Sequence, residues 1–109
     1  MSINKERTFN AFEIRDTNSH NGNTVYNGNF IIKTIIVEND LNEEITLQCQ
    51  ASANADFSKC FNVGSPFNVN ANKSVYQTCE TYFPYFRMVG ECENAPTTGD
   101  LTIIILGVN

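Results

Sequence analysis

The stretch Ile45–Ser52, ITLQCQAS, alternates apolar and polar residues without a break. Ile45, Leu47, Cys49 and Ala51 fall on one side, and Thr46, Gln48, Gln50 and Ser52 on the other. A period of two sends successive side chains to opposite faces of a pleated strand. This segment therefore reads as a half-buried β-strand with Cys49 on its core face. Upstream, residues 30–38 (FIIKTIIVE) are rich in β-branched side chains and too apolar to leave a whole face in water. That pattern fits a strand covered on both sides. The acidic turn at residues 39–44 (NDLNEE) joins the two.

Outward from this pair the same grammar repeats. Residues 9–14 (FNAFEI) read as a first strand, with Phe9, Ala11 and Glu13 on one face and Phe12 and Ile14 on the other. Residues 16–23 (DTNSHNGN) are nearly all turn formers. Asn27-Gly28 and Asn21-Gly22 are alternative hairpin tips, because both residue types accept the positive φ of a type I′ turn. Residues 53–66 read as the longest irregular stretch, and 67–69 as a short strand. Pro84, lacking a ladder donor, divides strands expected at 74–83 and 85–92. After a turn at 94–100 the chain ends on LTIIIL, residues 101–106. No window carries a sustained helical stripe. The expected fold is all-β: an antiparallel, jelly-roll-like β-sandwich of about eight short strands. Residues 1–22 read as an N-terminal arm with a first short strand, and 23–109 as the sandwich.

Composition narrows the function classes. The 109 residues suit one domain, and charged residues are only 17%. Sixteen Asn and ten Thr supply the polar surface instead. The net charge of −5 and scattered basic residues argue against nucleic acid, whose binding needs clustered Lys and Arg. No apolar run is long enough for a membrane helix. Residues 1–14 contain no apolar core of a secretory signal, so none is expected.

Chemistry-bearing groups are few. His20 is the one histidine and lies in the Asn-rich turn, which reads as a solvated position. Asp40, Glu43 and Glu44 share one turn but lack the spacing of a calcium loop. Cys49, Cys60, Cys79 and Cys92 show no CxxC pair, so zinc is not expected. Their even number suits disulfides, with three pairings open. No catalytic residue, metal or cofactor is assigned, and no enzyme activity is expected.

The aromatic block Tyr82-Phe83-Pro84-Tyr85-Phe86 reads as core or interface, with carbohydrate stacking as the alternative. Arg87 lies on the face of Tyr85, to stack on it or to pair with an acid. The last strand carries no charge, proline or bulge to protect an edge, so it must be paired, within the sheet or by a neighbour. The first residues could add a strand to a neighbour.

Three segments, IIVENDLNEEITLQCQAS (35–52), FNVGSPFNVNANKSVYQTC (61–79) and YFPYFRMVGECENAPTTGDLTIII (82–105), resemble small bacterial β-sandwich proteins of surface assemblies. They are similar to endospore appendage subunits and related spore or phage structural sandwiches. The resemblance implies a non-enzymatic jelly-roll subunit that self-assembles by sheet augmentation through an N-terminal connector. It implies a filament, appendage or virion surface as the location. Appendage subunits carry connector cysteines, whereas no cysteine precedes Cys49 here. Phe9, Phe12, Tyr82, Tyr85, Arg87, Leu101, Ile103 and Ile105 are the expected subunit contacts. A surface- or carbohydrate-binding module is the rival reading.

Overall fold

The computed structural model describes residues 3–26, 30, 32–81 and 83–108. Nine strands run β1 (Ile3–Phe12), β2 (His20–Asn21), β3 (Val25–Tyr26), β4 (Ile32–Asn39), β5 (Ile45–Ser52), β6 (Cys60–Val69), β7 (Lys73–Glu80), β8 (Tyr85–Glu91) and β9 (Leu101–Val108). Sheet A has the order β1-β9-β4-β7. Sheet B has the order β2-β8-β5-β6, with β3 also on β8. All pairings are antiparallel. With β2 and β3 counted as halves of one interrupted strand, this is the strand order of a jelly roll. The expected sandwich is the observed one.

The alternation in the sequence builds the core. From β5, Ile45, Leu47, Cys49 and Ala51 point inward and are buried, as expected. They meet Ile35 and Val37 of β4, Phe86 and Met88 of β8, and Leu101, Ile103 and Ile105 of β9. The final strand lies between β1 and β4, paired on both edges within its own chain. Of the two pairings open to it, the chain uses the internal one.

Three local readings are corrected. The arm is laid along β9 from Ile3 to Phe12, so the first strand begins before residue 9. Register shifts on either side of Phe9 and a positive φ of 48° at Ala11 break its alternation. Consecutive Thr8 and Phe9 are therefore both buried, while Phe12 is exposed on the face opposite Phe9, as alternation predicts. The stretch expected to be irregular contains β6, which passes through Pro66 because it is an edge strand. Asn21-Gly22 is not a hairpin tip: Asn21 pairs with Val89, and Gly22 N–H donates to the Met88 carbonyl at 2.8 Å. The alternative tip, Asn27-Gly28, lies outside the described residues.

One lateral side of the sandwich is laced shut. The Thr8 hydroxyl of β1 donates to the Asn23 carbonyl (2.9 Å) and accepts from Met88 N–H of β8 (3.2 Å). Asn23 N–H donates to the Thr8 carbonyl. One threonine thus ties sheet A to sheet B. At one end, buried Asn39 collects several turns. Its amide donates to the carbonyls of Glu43, Val69 and Asn70, and its Oδ1 accepts from Leu41 N–H.

Candidate functional site

The opposite side is built differently. There β6 and β7 are the two outer strands, each paired on one edge only among the described residues. Between them lies an open recess of about 470 Å³, bordered by Val63, Gly64 and Ser65 of β6, Gln77 and Cys79 of β7, and Cys49 at its floor. The recess exists because the inner-face residues here are short and partly polar.

The outer strands differ in protection. In β6 the register slips between Leu47 and Cys49 of its partner, and Gly64 has a φ of 71°. The Gln48 amide donates to the carbonyls of Val63 (3.3 Å) and Gly64 (3.2 Å) at this bulge. A bulge and a proline are recognised guards against edge-to-edge pairing. On the far side of the molecule, β1 carries Lys5 and Arg7, and Glu6 is a half-buried charge whose carboxyl pKa is raised by burial. By contrast, β7 has no proline and no register shift, and its charges lie only at its ends, Lys73 and Glu80. Tyr76 is 77% exposed and Val75 38%. With Thr34 and Ile36 of β4 and Ser74, they border a shallow apolar surface.

The expected contact residues are divided by this geometry. Phe9, Leu101, Ile103 and Ile105 belong to the core of their own chain, because β9 is an inner strand of sheet A and β1 covers its outer edge. Phe12 is exposed and packs against Phe9 and His20. Tyr82 lies outside the described residues. Tyr85 is half-buried against exposed Tyr26, with ring centroids 5.3 Å apart, while Phe86 is core. Arg87 stacks on Phe57 and not on Tyr85. Its guanidinium lies 4.2 Å from the ring centroid of Phe57, and its Nε donates to Gln50 Oε1 at 3.0 Å. The buried Phe57 had no signal in the sequence, since it sits in a loop that folds over sheet B.

Around His20 the described titratable groups do not assemble a nucleophilic centre. His20 is in β2 and not simply in a solvated turn; its Nε2 lies 2.7 Å from Asp16 Oδ1. That bond holds the Asp16 carboxyl below its ordinary range. Nearby Cys92 is pushed the other way, by burial first and then by Glu43, Asp16 and Glu91. A thiol kept protonated in an acidic setting is the reverse of an activated one. All four cysteines carry free thiols, and no cluster of metal-ligand residues occurs among the described residues.

The architecture has solved counterparts. The chain is similar in fold to the PBSX exported protein XepA, with a TM-score of 0.69 at 16% identity over 96% of this chain. It spans only 37% of the XepA chain. It is also similar in fold to PirA, with a TM-score of 0.56 at 13% identity over 98% of this chain and 93% of that one. No family model and no curated protein matches the sequence. At such identities the likeness is one of fold.

Proposed function

We propose that this chain is a non-enzymatic structural subunit that associates with copies of itself through the free edge of β7. The observation that carries the reading is the unguarded edge itself. It is eight residues long, regular in register and uncharged between Lys73 and Glu80, with Tyr76 exposed beside it. Backbone N–H and C=O groups along such an edge favour an added strand, and the other long outer strands carry guards that oppose one. Pairing of β7 with its own copy is antiparallel and two-fold, joining two A sheets into one. That isologous contact closes as a dimer, so an appendage or filament requires a second contact at another surface. The N-terminal strand is not the free connector that the appendage resemblance implied, since β1 already covers β9. The similarity in fold to a protein described as exported supports a place outside the cell, on a surface assembly.

The experiment is sedimentation velocity over a concentration series, comparing the full chain with a Val75→Lys/Tyr76→Lys variant. Concentration-dependent dimers from the natural chain, and monomers with unchanged circular dichroism from the variant, are expected. A natural chain that stays monomeric throughout would sink the reading.

The Tyr26–Tyr85 pair favours a second reading, recognition of carbohydrate by aromatic stacking, because Tyr26 is 57% exposed. On that reading a glycan array signal is lost in Tyr26→Ala and survives Val75→Lys/Tyr76→Lys. A signal indifferent to Tyr26 removes it.

A further inference from the structure

Cys49 and Cys79 lie far apart in sequence and in different sheets, yet both belong to one buried core cluster and border the same recess, near enough for each thiol to shift the ionisation of the other. The fold brings them together by register. Cys49 projects inward from β5 at the point where it opposes Val63 and Met88. Cys79 projects inward from β7 at the point where it opposes Lys33. Both border the recess between β6 and β7, so the pair is buried but has a solvent route.

Beside them is an unusual cation. Lys33 is fully buried, and its Nζ donates to the carbonyls of Phe30 and Thr81. It shares neither of the two ion pairs among the described residues, Arg15–Glu13 and His20–Asp16. Its register neighbour on β9 is Gly107, where an added Cβ would meet the Phe30 ring at 2.7 Å, so the missing side chain makes room for Phe30, whose carbonyl accepts from Nζ. The nearby thiol of Cys79 is held below its ordinary pKa, first by the hydrogen bond from Cys49 and then by the Lys33 charge. Cys49 is shifted upward by the same hydrogen bond and by burial, so Cys79 ionises first. A buried ammonium facing a thiol is the setting in which a thiolate forms.

We propose that Cys49 and Cys79 are a dithiol redox site that closes into an inter-sheet disulfide on reaction with a small-molecule disulfide. The Cys79 thiolate enters the exchange by attacking one sulfur of the reagent, RS–SR. The reagent S–S bond breaks, RS⁻ leaves, and a Cys79–S–SR mixed disulfide forms. Cys49, losing its proton, attacks the Cys79 sulfur and expels the second RS⁻. The two thiolates leave as two RSH with the protons of Cys49 and Cys79. The protein loses two electrons and two protons, and the reagent gains them. Closing to the ~2.05 Å bond requires side-chain rotation and an approach of the two sheets at this recess. The link would span the side of the sandwich that Thr8 does not tie.

The full chain, reduced and folded, is treated with 2-hydroxyethyl disulfide, then acid-quenched, unfolded and alkylated for peptide mass spectrometry. Cys49 and Cys79 are expected to lose alkylation and to appear as one linked peptide, whereas half-exposed Cys60 can at most carry a mixed disulfide with the reagent. A Cys60→Ala/Cys92→Ala variant is expected to give the same link. Cys49→Ala is expected to stop at a mixed disulfide on Cys79, with its fold verified by circular dichroism. Full alkylation of Cys49 and Cys79 after treatment overturns the proposal. So does a link from either one to Cys60 or Cys92, or a mixed disulfide that persists on Cys49 or Cys79 in the natural chain. Each outcome is read on monomer and dimer alike, so it is independent of self-association.

Discussion

Replacing Asn39 by aspartate is expected to cost about 3–5 kcal/mol at neutral pH, the scale of a buried charge left uncompensated. Asn39 has no exposed surface. Its Nδ2 donates to three carbonyls, of Glu43 (3.2 Å), Val69 (3.2 Å) and Asn70 (3.1 Å). An aspartate presents an acceptor to those three acceptors and places a charge where no surface is exposed to water. The pH dependence has a definite sign. A carboxyl facing carbonyls has a folded pKa above its unfolded value of about 3.9. Its protonated form can still donate, so the loss relative to the natural chain is smallest below that unfolded value. The loss grows as pH rises through the folded pKa. Urea unfolding at acidic and neutral pH reads this directly. Equal midpoints for the variant and the natural chain at neutral pH would show that Asn39 does not bind these turns together.

Gly99→Ala is expected to cost about 3–4 kcal/mol, combining backbone strain with overpacking against an immovable neighbour. Gly99 has a φ of 87°, and a Cβ there would lie 1.9 Å from the carbonyl oxygen of Asp40. The contact cannot relax cheaply, because both strands of chain are pinned. Asp40 N–H donates to the Asp100 carbonyl at 2.9 Å, and Asn42 N–H to the Thr98 carbonyl at 3.2 Å. The Asn42 side chain adds bonds to Thr97 N–H and Oγ1. Gly64→Ala is the control. Its φ of 71° also disfavours a side chain, but nothing lies within 4 Å of the added Cβ. It should cost only about 1–2 kcal/mol of left-handed strain. Denaturant midpoints of the two variants separate the effects, and equal losses would refute the collision.

The features legible in the sequence were those carried by local period. ITLQCQAS placed Cys49 inward, and the whole sandwich follows from several segments of that kind. Features set by long-range pairing were not legible. Leu101 to Leu106 looks like an unguarded edge until β1 is seen to cover it. Lys33, inside an apolar run, gives no sign of burial, because the Thr81 carbonyl that receives its Nζ lies 48 residues on. Asn39 reads as the start of an acidic turn, since its acceptors include carbonyls thirty residues on. The nearness of Cys49 to Cys79 needs the stacking of two layers, which parity along one strand cannot supply. The β7 edge was missed for the same reason: which strand ends a sheet is a property of order, not of composition.

The Thr8 lacing has a mechanical consequence. The two layers are bound like the pages of a book, stitched at the spine by one hydroxyl and loose at the fore-edge. Thermal breathing then has a direction. The leaves are expected to part first beside Cys79 and last beside Met88, so that a small reagent reaches the interior from that margin.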